Sequence, residues 1–337
     1  MQTLIGLIDY DSRIPNLALM KLSTFYKRQG YAVHLNMLTR ETAFPATPAQ
    51  VFCSVIYQKH REHARGLAAM YPGIVMGGTG WDLRTELPPE AEACSPDYTL
   101  YRAEDLVPRL AGIATRAAKL AKAQELVTAA IGFTARGCVR RCAFCEVPIK
   151  EGALRQVATI GDLVTPTSKT LILLNNNLTA QANVLDELTE IKSRGLRLDI
   201  TQGIDVRLMT PEIAKALGEV SHVRSLHYAW DLMAFERQVW RGIEILSRYV
   251  KRYRHLCFML VGFDTTFEED QYRFAKLTAS KIDPYVMLYN DCQDLRLRHF
   301  ARWVNGRFYK VSSFEEYTPW MKTRAGYMQQ QLTLAAA

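Results

Sequence analysis

The sequence predicts an α/β protein: an open parallel sheet, a second and longer series of βα units, and a short extension at the end. Three observations carry this. Strand-sized apolar runs alternate with amphipathic stretches as far as about residue 290, and glycine and proline punctuate the joins. The alternation restarts after an Ala/Lys-rich segment, residues 111–130. A length of 337 residues leaves room for about two compact domains. The segments expected are therefore 1–130, 131–294 and 295–337.

In the first segment, residues 3–8 form an apolar strand, followed by Pro15 and by Leu17, Leu19, Met20, Leu22, Phe25 and Tyr26 at helical spacing, with Gly30 as terminator. Strands are expected at Ala32–Leu35, Val51–Tyr57 and Gly73–Met76, with a helix over 60–70. The run Gly77-Gly78-Thr79-Gly80 lacks the spacing of a dinucleotide fingerprint and reads as a tight turn. A wound strand–helix alternation of this kind is Rossmann-like. In the second segment six strands are expected, near Ile131 and at Leu171–Leu174, Leu196–Ile200, Val223–Tyr228, Leu256–Val261 and Tyr285–Leu288. Helices are expected over Asn183–Ser193, Pro211–Leu217 and Phe235–Tyr249. Six consecutive βα units predict a parallel sheet rolled toward a partial barrel, with ligands at the carboxyl ends of its strands.

Composition narrows the class. The chain is 48% hydrophobic and 23% charged, the profile of a folded protein in water. Its longest apolar runs are too short for a membrane span, so no membrane partner is expected. The opening residues carry no basic leader or cleavage site, and the expectation is a cytoplasmic protein. The formal charge of +8 is uneven, because residues 295–337 hold seven Lys/Arg against two Asp/Glu.

Cys138, Cys142 and Cys145 lie within eight residues, whereas the other four cysteines are scattered. In a reducing compartment such a clump points to metal binding rather than to a disulfide framework. Thiolates with three and then two intervening residues can take three corners of one iron–sulfur cubane, and Gly137 lets the backbone bend around it. One iron is then left without a protein ligand, open to a substrate or cofactor. Arg136, Arg140 and Arg141 would offset the charge of the thiolates. Zinc is the alternative, and the spacing is poor for it: the first His after Cys145 is His222 and the first Cys is Cys257.

The CxxxCxxC loop after the first strand of a parallel βα series resembles the radical S-adenosylmethionine (radical SAM) superfamily. The resemblance implies a 4Fe-4S cluster on the three cysteines, with S-adenosylmethionine chelating the open iron. It places Phe144 near the adenine. One-electron cleavage of the sulfonium would release methionine and a 5′-deoxyadenosyl radical that takes hydrogen from a substrate. A reductant such as flavodoxin or ferredoxin is implied as partner. Asn175, Asn176 and Asn177 stand where the family has a Gly-Gly-Glu-like turn contacting the methionine amino group, and amide oxygens can accept from an ammonium. Gln202, Asp205 and Arg207 follow the third strand and can contact carboxylate, ribose or substrate, although a surface Asp205–Arg207 pair is the rival reading. Asp231 after the fourth strand either contacts substrate or caps a helix. Val261-Gly262-Phe263-Asp264 resembles the family's turn beside the adenine.

The first segment resembles the cobalamin-binding-like domain found in this superfamily. It lacks Asp-x-His-x-x-Gly, and that absence argues against cobalamin. A methylthiotransferase needs three N-terminal cysteines, and only Cys53 and Cys94 are there. Cys292 after the sixth strand is a candidate hydrogen-atom donor, with apolar filling as its alternative. The expectation is an enzyme acting on a small molecule, lipid or peptide. An RNA-modifying enzyme, with Trp303, Phe308 or Tyr309 stacking bases, and a non-catalytic iron–sulfur protein are the alternatives. Nucleic acid is not favoured, because Leu295, Leu297, Phe300 and Val304 predict a tail helix docked by one face.

Overall fold

The computed structural model describes residues 2–38 and 43–318. The part of the expected extension from 319 to 337 lies outside the described residues. The chain is a mixed α/β protein with parallel sheets. It divides into two compact units. One takes residues up to Arg141 together with Cys145–Asn175 and Gly195–Asp199, and the other takes Cys142–Phe144, Asn176–Arg194 and Ile200 onward.

In the first unit, β1 (Leu4–Asp9), β2 (Ala32–Asn36), β3 (Gln50–Ser54) and β4 (Val75–Gly77) form one parallel sheet in the order β2-β1-β3-β4. β1 is central, so Leu7 and Ile8 are fully buried, and Leu7 stands opposite Leu35 of β2 and Phe52 of β3. Asn16 caps the helix Leu17–Arg28 by accepting from the Leu19 N–H at 3.2 Å. The expected helix over 60–70 is instead three short pieces, Gln58–His60, Arg61–Arg65 and Leu67–Met70, with Gly66 at the last junction. Gly78 and Gly80 form a tight turn, because a Cβ on either would meet the backbone of residues 55–57 at 2.3–2.7 Å.

From β2 the chain crosses back over β1 to β3, so the strand order reverses at the carboxyl ends of β1 and β3. In parallel sheets this is the usual place for a ligand. Here the protein's own side chains occupy it. The buried Asp9 carboxylate accepts from Arg109 Nη1 at 2.7 Å, from the Tyr101 hydroxyl at 2.7 Å and from the Ser12 N–H at 2.9 Å. Arg109 also donates to the carbonyls of Ser12, Tyr10 and Met37.

The same unit contains β5 (Ala130–Gly132), β6 (Ala135–Arg136), β7 (Arg155–Gln156), β8 (Thr170–Leu173) and most of β9 (Arg197–Ile200). β8 lies between β5 and β9, and β6 pairs antiparallel with β7. One hydrophobic cluster joins Leu17, Met20, Tyr101 and Leu126 to Ile131 of β5 and Ile172 of β8. This shared core is why the compact units do not follow the 130/131 boundary expected from the sequence.

In the second unit a short β10 (Ser221–His222) precedes β11 (Leu226–Ala229), β12 (His255–Val261) and β13 (Asp283–Leu288). The last three form a parallel sheet in that order. All six expected strands are present, but β11–β13 form a sheet of their own. After β9 the chain turns at Gly203 (φ +91°), and Ile204 makes a single bridge to Tyr228. The helices Glu236–Ser247 and Phe267–Ala279 connect β11, β12 and β13, and the helix Leu295–Asn305 follows. Phe300 and Trp303 are buried among Phe267, Phe274 and Phe314, Val304 is buried beside them in the helix, and Phe308 is buried against Tyr317, so Trp303 and Phe308 are packing residues and present no ring to a base. Leu295, expected on the docked face, is 67% exposed: it is the first residue of the helix, ahead of the turn that packs. Among the described residues no helix is long and apolar enough to cross a membrane.

Candidate functional site

The cysteine loop springs from the β6–β7 pair. Gly137 adopts φ +82° and a Cβ there would stand 2.3 Å from the Ala153 carbonyl oxygen, so only glycine fits this close approach. The Cys138 N–H donates to the Gly152 carbonyl at 3.3 Å, closing the base of the loop. Between Arg136 and Val147 there is no helix or strand. Cys138, Cys142 and Cys145 are half-buried. Among the described residues no three His, Cys, Asp or Glu side chains already converge to hold a metal ion.

Arg136, expected to balance the thiolates, is spent elsewhere. It pairs with Glu151 at 3.1 Å and Glu92 at 3.4 Å and lies over the Phe133 ring. Arg207 is the cation beside a cysteine. Burial works against its charge, and Asp205 and the neighbouring Cys142 outweigh that and raise its pKa. Arg207 grips Asp205 with both ends of its guanidinium, Nε–Oδ1 at 2.7 Å and Nη2–Oδ2 at 3.0 Å. The side chains are only 18% and 6% exposed, so this is a largely enclosed bidentate pair and not the surface pair considered from the sequence. Phe235 covers the guanidinium, with its ring centroid 4.8 Å away.

The turn that carries this pair is fixed from two sides within the second unit. The Thr179 hydroxyl accepts from the Asp205 N–H at 2.9 Å and lies 3.1 Å from the Asp205 carbonyl. From the other side the helix Glu236–Ser247 presses Gly242 onto Val206.

Of the three asparagines, Asn175 is fully buried and both ends of its amide are engaged. It accepts from the Thr134 N–H at 2.9 Å and donates to the Thr134 hydroxyl at 2.6 Å, bonds that tie the end of β8 to the end of β5. An amide so used is a brace. Asn177 is buried beside the Thr179 hydroxyl at 3.2 Å, Asn176 is half-buried, and Gln202 is exposed.

The second unit also brings together residues from the ends of β12 and β13. Phe144 meets Phe263 edge to face at 5.5 Å, and Phe263 meets Tyr289 at 4.8 Å. A Cβ on Gly262 (φ +82°) would lie 3.3 Å from Cys292 Sγ, which places the half-buried Cys292 thiol against the turn after β12. Thr266 and Glu269 form a reciprocal capping box on the helix that follows.

Arg273 went unnoticed in the sequence. Fully buried, it donates to the carbonyls of Trp230 (2.6 Å), Asp231 (2.8 Å) and Leu260 (2.7 Å), and it pairs with Asp270 at 2.5 Å. One guanidinium therefore holds the ends of β11 and β12. Its sequence signal is the spacing Asp270, Arg273, Leu277, a charged pair on the buried stripe of a helix. Asp231 accepts from the Leu260 N–H at 3.3 Å. Burial pushes its pKa up to about 6, against the pull of Arg273 and Arg207.

No protein-family model matches the chain, and no curated protein is significantly similar to it.

Proposed function

We propose that the chain is a radical SAM enzyme that acts on a small molecule, lipid or peptide. The reading rests on one observation: three cysteines with three and then two intervening residues, on a loop without secondary structure, following the first of a series of parallel strands. The donor set fits a 4Fe-4S cluster, since thiolates are its usual ligands and three of them leave one iron for S-adenosylmethionine. Cys138, Cys142 and Cys145 would hold the cluster. When bound, the pair supplies the one-electron cleavage that yields the 5′-deoxyadenosyl radical.

The chain's own residues have distinct tasks in this reading. Asp205 holds Arg207 in place, and Arg207 sets a positive charge beside Cys142. Phe144, Phe263 and Tyr289 form an apolar wall that excludes water. Asn176 and Asn177 offer amide oxygens, and Cys292 offers a thiol hydrogen beside Gly262. The strand order is compatible with a partial barrel over 131–294 after a Rossmann-like, cobalamin-domain-like module. A flavodoxin or ferredoxin is the expected reductant. The self-filled strand ends around Asp9 and Arg109 and the missing Asp-x-His-x-x-Gly support a module without cobalamin.

Anaerobic reconstitution tests the proposal. About four irons per chain are expected, with dithionite-dependent release of 5′-deoxyadenosine, and Cys138→Ala, Cys142→Ala or Cys145→Ala should each abolish both. Stoichiometric zinc without iron would refute it.

A further inference from the structure

The segment between the helix Glu236–Ser247 and β12 reads Arg248-Tyr249-Val250-Lys251-Arg252-Tyr253-Arg254, with cations and tyrosines interleaved and no acid. Its rings are not core filler: Tyr253 is 68% exposed and Tyr249 44%. Arg248, Lys251 and Arg254 are exposed too, and among the described residues none of them has an ion-pair partner. Tyr253 also lines an open cavity of about 340 Å³ together with Lys281, Asp283, Tyr309 and Lys310. Arg307 pairs with Asp283 at 2.6 Å, which offsets the one acid of that wall. Lys281 sits just past a helix end at φ +60°, where glycine is usual, and it brings a further ammonium to the cavity. His255 and Asp283 begin β12 and β13, so this surface lies at the amino ends of the strands whose other ends carry Gly262 and Cys292.

We propose that this surface binds single-stranded nucleic acid, with Lys251, Arg254 and Lys281 on phosphates and a base stacked on Tyr253. A chain of phosphates and flat rings uses both halves of the pattern, and the cavity has the size of a nucleotide site. A bilayer would use neither well, because the segment's only aliphatic side chain, Val250, is buried. The proposal concerns a surface of the second unit alone and does not depend on the cluster.

The test is fluorescence anisotropy of a labelled oligouridylate of about twelve nucleotides across a range of salt. Log affinity should fall with log salt by about 0.7 per phosphate contact, so Lys251→Gln/Arg254→Gln/Lys281→Gln should flatten the slope by about 2. Tyr253→Ala should weaken binding about tenfold and leave the slope unchanged. Arg296→Gln/Arg298→Gln and Cys142→Ala should bind as wild type, which separates this surface from the tail helix and from the cluster. Circular dichroism should match wild type in every variant, because the replaced surface side chains are exposed. Absence of binding at low salt, wild-type affinity in the triple or the Tyr253 variant, or a preference for phosphatidylserine vesicles over the oligonucleotide would overturn the proposal.

Discussion

Gly242→Ala separates packing from propensity more sharply than any other single change. In the helix Glu236–Ser247 the substitution replaces a poor helix former by the best one, and propensity alone predicts a gain of about 1 kcal/mol. The structure predicts the opposite. A Cβ at this position would lie 1.8 Å from the Val206 carbonyl oxygen and 3.0 Å from Val206 Cγ2. Carbon and carbonyl oxygen in ordinary contact stand about 3.3 Å apart, so helix and turn must separate by about 1.5 Å. Val206, Val239 and Ile243 are at most 1% exposed, and such a gap opens within their packing. Overpacking costs about 1–3 kcal/mol, a backbone clash this close belongs in the upper part at about 2–3 kcal/mol, and set against the propensity gain it leaves a net loss of about 1–2 kcal/mol. Urea unfolding followed by circular dichroism measures it as a lower midpoint at unchanged slope. Gly242→Val should lose more. An alanine variant as stable as wild type, or more stable, would refute the contact and with it the claim that this helix sets the position of Asp205 and Arg207.

Two titrations give predictions of opposite sign. His255 is fully buried, with Nε2 against the Val250 carbonyl at 3.1 Å and Nδ1 against the Tyr228 hydroxyl at 3.1 Å, and burial holds its pKa down to about 4. The unfolded chain takes up this proton near pH 6.5 and the folded chain does not, so stability should fall from pH 6.5 toward pH 4, by at most about 3 kcal/mol. Equilibrium unfolding at several pH values checks this, and His255→Gln should remove that part of the pH dependence. Asp231 runs the other way: its pKa is raised to about 6, so the unfolded chain ionises first and stability is lost as pH rises through the window from 3.8 to 6. Asp231→Asn, which keeps an acceptor for the Leu260 N–H, should therefore be the more stable protein at pH 8, by at most about 3 kcal/mol, and should lose that advantage by pH 4. A constant difference across pH would contradict the burial of the carboxyl.

What the sequence by itself determined is local. The six later strands, the capped helices and the tight glycine turn follow from apolar periodicity and turn chemistry within about ten residues, and the spacing of Cys138, Cys142 and Cys145 is a property of one loop. The use of each polar side chain was decided only by tertiary structure. Asn175 reads as a ligand until the fold brings Thr134, 41 residues away, to both ends of its amide. Asp205 and Arg207 read as ligand contacts, or else as a surface pair, until Phe235 and the Thr179 turn enclose them as one bidentate pair. Arg273 reads as an ordinary helix charge until the ends of β11 and β12, 43 and 13 residues away, bring it their carbonyls. The core that joins Met20 to Ile131 and Ile172 likewise crosses the join at which the alternation restarts. The physical reason is common to all of these. A strand or a cap is stabilised by neighbours in the chain, whereas a buried polar group must be satisfied by whatever partner packing delivers, and that partner lies far away in sequence.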